Sequence, residues 1–147
     1  MYYLFWIKEQ ANRIHFKNSS SGGNMKRVVG IGGVFFKAKD PQALSAWYRD
    51  HLGFELSPWG GAVFEANGDS TEKTAWSLFP ADSTYFAPST QPFMINYRVD
   101  DLHALLAALR AEGCDVDAKV DESEYGKFGW VMDPEGNRVE LWEPPKS

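Results

Sequence analysis

The chain has 147 residues, 44% of them hydrophobic and 15% aromatic, long enough for one domain with a sizeable core and too short for two ordinary ones. A formal net charge of −5 without any cluster of Lys or Arg speaks against a nucleic-acid partner, because binding the phosphate backbone relies on grouped cations. The single cysteine, Cys114, leaves no intrachain disulfide and no Cys-based zinc site, and no stretch approaches the ~20 apolar residues of a membrane span.

Residues 1–24 end in NSSSGGN, a flexible-linker composition, and Met25 followed by Lys26 and Arg27 reads as a second start. They are expected to be an appendage or tag, the alternative being a docking arm built on Tyr2, Leu4, Phe5 and Trp6. The apolar run at the N-terminus lacks a preceding positive region and a small-residue cleavage site, so a cytoplasmic protein is expected. Residues 25–147 are expected to form a single domain.

From Val28 onward the chain repeats itself. GVFFKAKDPQALSAWYRDHLG lies under MINYRVDDLHALLAALRAEG with Asp40 on Asp101, a shift of 61 residues. Each copy reads as a strand, an Asp and a helix ending at Gly. Asp40 and Asp101 can cap helix N-termini, Pro41 suits a first helical position, and Gly53 and Gly113 are stop signals. Leu102, Leu105, Leu106 and Leu109 form one apolar helical stripe. Strand candidates follow in both copies: GAVFEA and TAWSLFP, then KFGWVMD and NRVELWE around the turn Asp133–Asn137. Laying AWSLFP separately under VELWEP sets Ser77 on Glu140 and Phe79 on Trp142.

The stretches FFKAKDPQALSAWYRDHLGF and DPEGNRVELWEP, together with the tandem pattern, resemble the vicinal oxygen chelate superfamily, the glyoxalase/bleomycin resistance protein/extradiol dioxygenase group. The resemblance runs from about Val28 to Pro144. It implies an α+β fold of two βαβββ repeats, units about 28–87 and 92–144, forming an eight-stranded cup with helices packed outside. It also implies a small-molecule site inside the cup and frequent homodimers.

Side chains alternate along a strand. Val139 and Leu141 suit the helix side, leaving Glu140 and Trp142 on the other; Phe35, Ser77, Phe79, Met94 and Asn96 join them as candidate ligand-binding residues. Tyr125 and Lys127 are candidates for the mouth. Metal-dependent members of the superfamily hold a divalent ion with His, Glu or Gln at four strand positions, which fall here on Gly33, Ser77, Met94 and Glu140. Gly offers no donor, Ser is a poor one and a Met thioether is too soft for such ions. His15 lies in the N-terminal segment, and His51 and His103 lie within the expected helices. No cofactor is therefore expected, a divalent metal being the alternative. Glu140 has three roles open to it: a solvated or salt-bridged charge near Arg138, Arg98 or Lys37; a cavity carboxylate that recognises a cation or acts as a base; or a metal ligand. The expected function is metal-independent binding of a small ligand in an aromatic-lined cup. The alternative is a glyoxalase-like lyase or isomerase, or an extradiol dioxygenase, with a divalent metal or with Glu140 as catalytic base.

Overall fold

A computed structural model describes residues 26–66 and 69–146; the N-terminal segment, with the docking role considered for it and His15, lies outside the described residues. The strands are β1 (Val28–Ala38), β2 (Ala62–Ala66), β3 (Asp69–Pro80), β4 (Phe93–Val99), β5 (Asp115–Ser123), β6 (Gly126–Met132) and β7 (Arg138–Glu143). The helices are α1 (Pro41–Leu52) and α2 (Leu102–Ala111). All seven strands join one curled sheet in the order β2-β3-β1-β4-β7-β6-β5. Within each half the first strand pairs parallel with the last, β1 with β3 and β4 with β7, and the halves meet through antiparallel β1 and β4.

Both helices start as the sequence dictates. The Asp40 carboxylate accepts from the Ala43 amide and that of Asp101 from the Ala104 amide, each at 3.0 Å. Such caps satisfy amides that have no intrahelical partner. α1 closes at Gly53 in the left-handed region, φ 71°, where its amide reaches back to the Arg49 carbonyl. Leu102, Leu105 and Leu106 of α2 are buried against Val99 and Leu141, with Leu109 and Val139 beside them. α1 presents Tyr48 to a ring cluster of Phe36, Phe54 and Trp76. Both helices thus cover the same side of the sheet.

The repeat implies eight strands, and seven are present among the described residues. The counterpart of β5 in the first half is reduced to an isolated bridge between Leu56 and Ala62. Pro58 has no amide hydrogen to give a ladder, and Gly60 at φ 94° turns the chain. Beyond the bridge, whose Ser57 amide donates to the Gly61 carbonyl at 2.7 Å, the segment folds into a turn in which the Gly60 amide donates to the Ser57 carbonyl at 2.9 Å. That turn sends Trp59 into the ring cluster on the concave face.

Glu143 ties the sheet to α2. Buried at the end of β7, it accepts from the Leu102 amide at 2.8 Å, with Lys127 Nζ 3.7 Å from its other oxygen. Glu143→Ala would leave a buried helix amide unpaired, so a loss of about 1–3 kcal/mol is expected in urea unfolding. Glu143→Gln keeps the acceptor and should lose much less; equal losses would show that the cap contributes nothing.

Candidate functional site

On the side of the sheet away from the helices, the strand register draws the expected residues together. Phe35 is paired with Ser77 on one side and Met94 on the other, Asn96 with Glu140, Lys37 with Phe79, and Arg98 with Trp142. Ser77 and Glu140 thus hold equivalent places in the two halves. A bulge in β1 between Ile31 and Gly33 turns two consecutive glycines toward this face. A Cβ on Gly32 would stand 2.3 Å from Asn96 Oδ1, so the missing side chain is what lets the Asn96 amide lie flat against β1.

The face is lined by rings. Phe35, Trp59, Phe86, Phe128, Trp130 and Trp142 form one buried cluster with Met94. Phe79 stacks on Tyr85 with centroids 5.5 Å apart, and Phe128 on Trp142 at 6.1 Å. Trp142 also donates from Nε1 to the Tyr125 carbonyl at 3.0 Å, which fixes its indole at the start of β6. Trp76 belongs to the helix side. Lys127 is placed there too by its contact with Glu143, contrary to the expectation that it sits at the cup's mouth: alternation along β6 puts Phe128 and Trp130 on the concave face and Lys127 on the other.

Glu140 is 0% exposed, which removes the reading of a solvated charge. Neutral donors meet its oxygens. Asn96 Nδ2 donates to Oε1 at 2.7 Å, while the Tyr85 hydroxyl at 2.6 Å and Trp130 Nε1 at 2.9 Å both donate to Oε2. Burial holds the Glu140 carboxyl well above the usual carboxylate range. It also raises the Tyr85 phenol, with the charge of Asp121 adding to the effect, so that Tyr85 remains a proton donor at any physiological pH.

Two of these partners escaped the sequence. Trp130 had a usable signal: the Asp133–Asn137 turn fixes a hairpin register in which Trp130 faces Glu140. Tyr85 had none, since it lies in the irregular segment between β3 and β4, where neither periodicity nor capping chemistry points anywhere.

The four positions at which the superfamily resemblance suggests metal ligands do not suit a divalent ion. Gly33 has no donor, and a Cβ there would meet Phe35 Cζ at 2.5 Å, because the phenyl ring lies across the position from which a ligating side chain would project. Ser77 and Met94 are a poor and a soft donor. Glu140 directs both oxygens at N–H and O–H groups. Among the described residues no three His, Cys, Asp or Glu side chains converge as a metal-binding group.

The family model for the glyoxalase-like domain matches residues 33–142, most of the chain. The chain belongs to the glyoxalase-like family. Its fold is that of the wider glyoxalase/bleomycin resistance/dioxygenase superfamily. Methylmalonyl-CoA epimerase from Mycobacterium tuberculosis superposes with a TM-score of 0.59 at 20% identity, covering 89% of this chain and 94% of that one. A variant of Streptomyces coelicolor methylmalonyl-CoA epimerase, in complex with 2-nitronate-propionyl-CoA, gives 0.60 at 18% identity over 80% and 98%. A superfamily member from Vibrio splendidus 12B01 gives 0.53 at 15% identity over 77% and 97%. No curated protein sequence matches this glyoxalase-like chain. At these identities the likeness to the solved structures is one of fold, and what the chain does rests on its own side chains.

Proposed function

We propose that this chain binds a small molecule against the aromatic concave face of its sheet, without a metal ion, and that Glu140 is the polar anchor of the site. The observation that carries the reading is a fully buried carboxylate bonded to Asn96, Tyr85 and Trp130 and surrounded by aromatic rings. Rings supply the apolar lining typical of ligand sites, and one fixed polar group supplies orientation. Tyr85 is the one donor of the three carried on an irregular segment rather than a strand. An incoming N–H or cationic donor would replace its hydroxyl and leave the two strand-borne donors in place. Such a protein would sequester its ligand unchanged, in the manner of the bleomycin resistance proteins.

The test is a thermal-shift screen of a chemically broad library, rich in small aromatic amines, on protein prepared in EDTA. A ligand at about 100 times its Kd raises stability by about 2.7 kcal/mol, which a melting curve reads easily. Hits that persist in EDTA support the proposal. Hits that appear only after adding a divalent metal would overturn its metal-free part.

A second reading is favoured by the raised carboxyl of Glu140, whose affinity for a proton suits general acid–base work. Glu140 would then remove and return a proton at carbon, the kind of step that an epimerase requires. Deuterium uptake from D2O into a CoA thioester at the carbon next to the carbonyl, lost in Glu140→Gln, would make this reading the leading one.

A further inference from the structure

We propose that Arg138 is a positioning residue for Glu140, standing behind both groups that donate to Oε2. The guanidinium Cζ lies 5.1 Å from the centroid of the Trp130 ring, whose Nε1 donates to Glu140. Its Nη1 donates to the Ala87 carbonyl at 2.7 Å, two residues beyond Tyr85, whose hydroxyl is the other donor. The same nitrogen is 3.3 Å from Asp117 Oδ2. One rigid cation therefore braces a strand residue by its ring face and an irregular segment by its backbone, and the two supports converge on one oxygen. A planar guanidinium suits both contacts, since it stacks on aromatic faces and donates in a fixed fork. Lys119, 5.6 Å from the same ring, is mostly exposed and paired with Asp121 at 3.2 Å, so it braces Trp130 less. Alternation explains why Arg138 is there at all: it precedes Glu140 by two positions on β7 and shares its face.

The inference concerns the bearing of the carboxylate and rests on the reading of Glu140 as the anchor only for its functional meaning. Its test therefore uses no ligand. In 15N-labelled full-length protein, the Trp130 indole resonance is followed from acid to alkaline pH in the parent, Arg138→Met, Arg138→Lys and Glu140→Gln. The charged or titratable groups around the carboxylate and its two donors are Tyr85, Asp117, Lys119, Asp121 and Arg138. Asp117, Asp121 and Lys119 are each replaced by the neutral isostere or Met, to show that none of them carries the signal.

In the parent the indole resonance should follow the ionisation of Glu140, and that pH dependence should vanish in Glu140→Gln. In Arg138→Met the indole should lose its coupling to Glu140, and the Glu140 ionisation should move upward, because weakened donors favour the carboxylate less. Arg138→Lys keeps the charge but not the plane, and should not restore the coupling. Should Arg138→Met fail to fold, Arg138→Lys alone decides the matter. A folded variant in which indole and ionisation are both unchanged overturns the proposal, as does full restoration by Lys, which would mean that charge rather than stacking matters. Failure of the parent to bind any library ligand would count against the functional reading and leave this inference standing.

Discussion

Glu140→Gln is expected to weaken binding of a cationic ligand by about 1.5–3 kcal/mol, or about 10- to 150-fold in Kd, the worth of a hydrogen bond to a charged group. The same variant should melt higher than the parent under alkaline conditions. Burial raises the native carboxyl above its ordinary value of 4.5. Between that value and the higher native one, the folded chain holds a proton that the unfolded chain releases. The stabilising contribution is therefore whole below the unfolded value and is lost as pH rises through the native one. Gln has no charge to desolvate, and Asn96 can rotate its amide to face the new N–H2. Melting curves of the two proteins should coincide near about pH 4 and separate as pH rises, the variant lying above. Parallel curves across the range would mean that the carboxylate reaches water, and unchanged ligand affinity would remove Glu140 from the site.

Leu106→Ala is expected to cost about 2–5 kcal/mol, the range for emptying a buried leucine position. The neighbouring Gly129 makes the prediction sharper. A Cβ on Gly129 would lie 2.8 Å from Leu106 Cδ1 and 3.2 Å from Cδ2, so β6 and α2 approach as closely as they do because one side of the contact has no side chain. Gly129→Ala alone overfills that contact and should cost about 1–3 kcal/mol. In the Leu106→Ala background the new methyl group enters the space vacated, and the double variant should lose less than the sum by about 0.5–3 kcal/mol. Strict additivity in urea unfolding would show that the helix shifts outward instead of holding its distance.

The fold was legible where short-range chemistry decides it. Asp40 and Asp101 cap, the leucines of α2 fall on one stripe, and Asp133 closes the last turn by accepting from the Asn137 side chain at 2.7 Å and its amide through the other oxygen at 2.8 Å. The 61-residue shift likewise carried β1 onto β4, and AWSLFP laid under VELWEP carried β3 onto β7, so that Phe35 pairs with Ser77 as Asn96 pairs with Glu140. What escaped was set by distant partners. The eighth strand reads as absent only when Pro58 and Gly60 are weighed against a repeat that otherwise holds. The helix-side places of Val139 and Leu141 put Glu140 on the other face, but nothing local announces that a tyrosine 55 positions earlier reaches its oxygen. The bulge that turns Gly32 inward also has no local signature, since it answers to the partner strand.

The antiparallel seam between β1 and β4 places Val34 beside Ile95, residues as far apart in the chain as the two repeats themselves. Joining them fixes a long loop before any ladder bond repays the lost chain entropy, whereas β5, β6 and β7 join through short turns. The second half can therefore assemble while the centre of the sheet is still unmade. Contact order, more than stability, then sets the pace of folding, on the order of milliseconds or slower. Until the seam closes, β1 and β4 each carry an unsatisfied edge, and a crowded solution of refolding chains offers each of them the matching strand of another molecule.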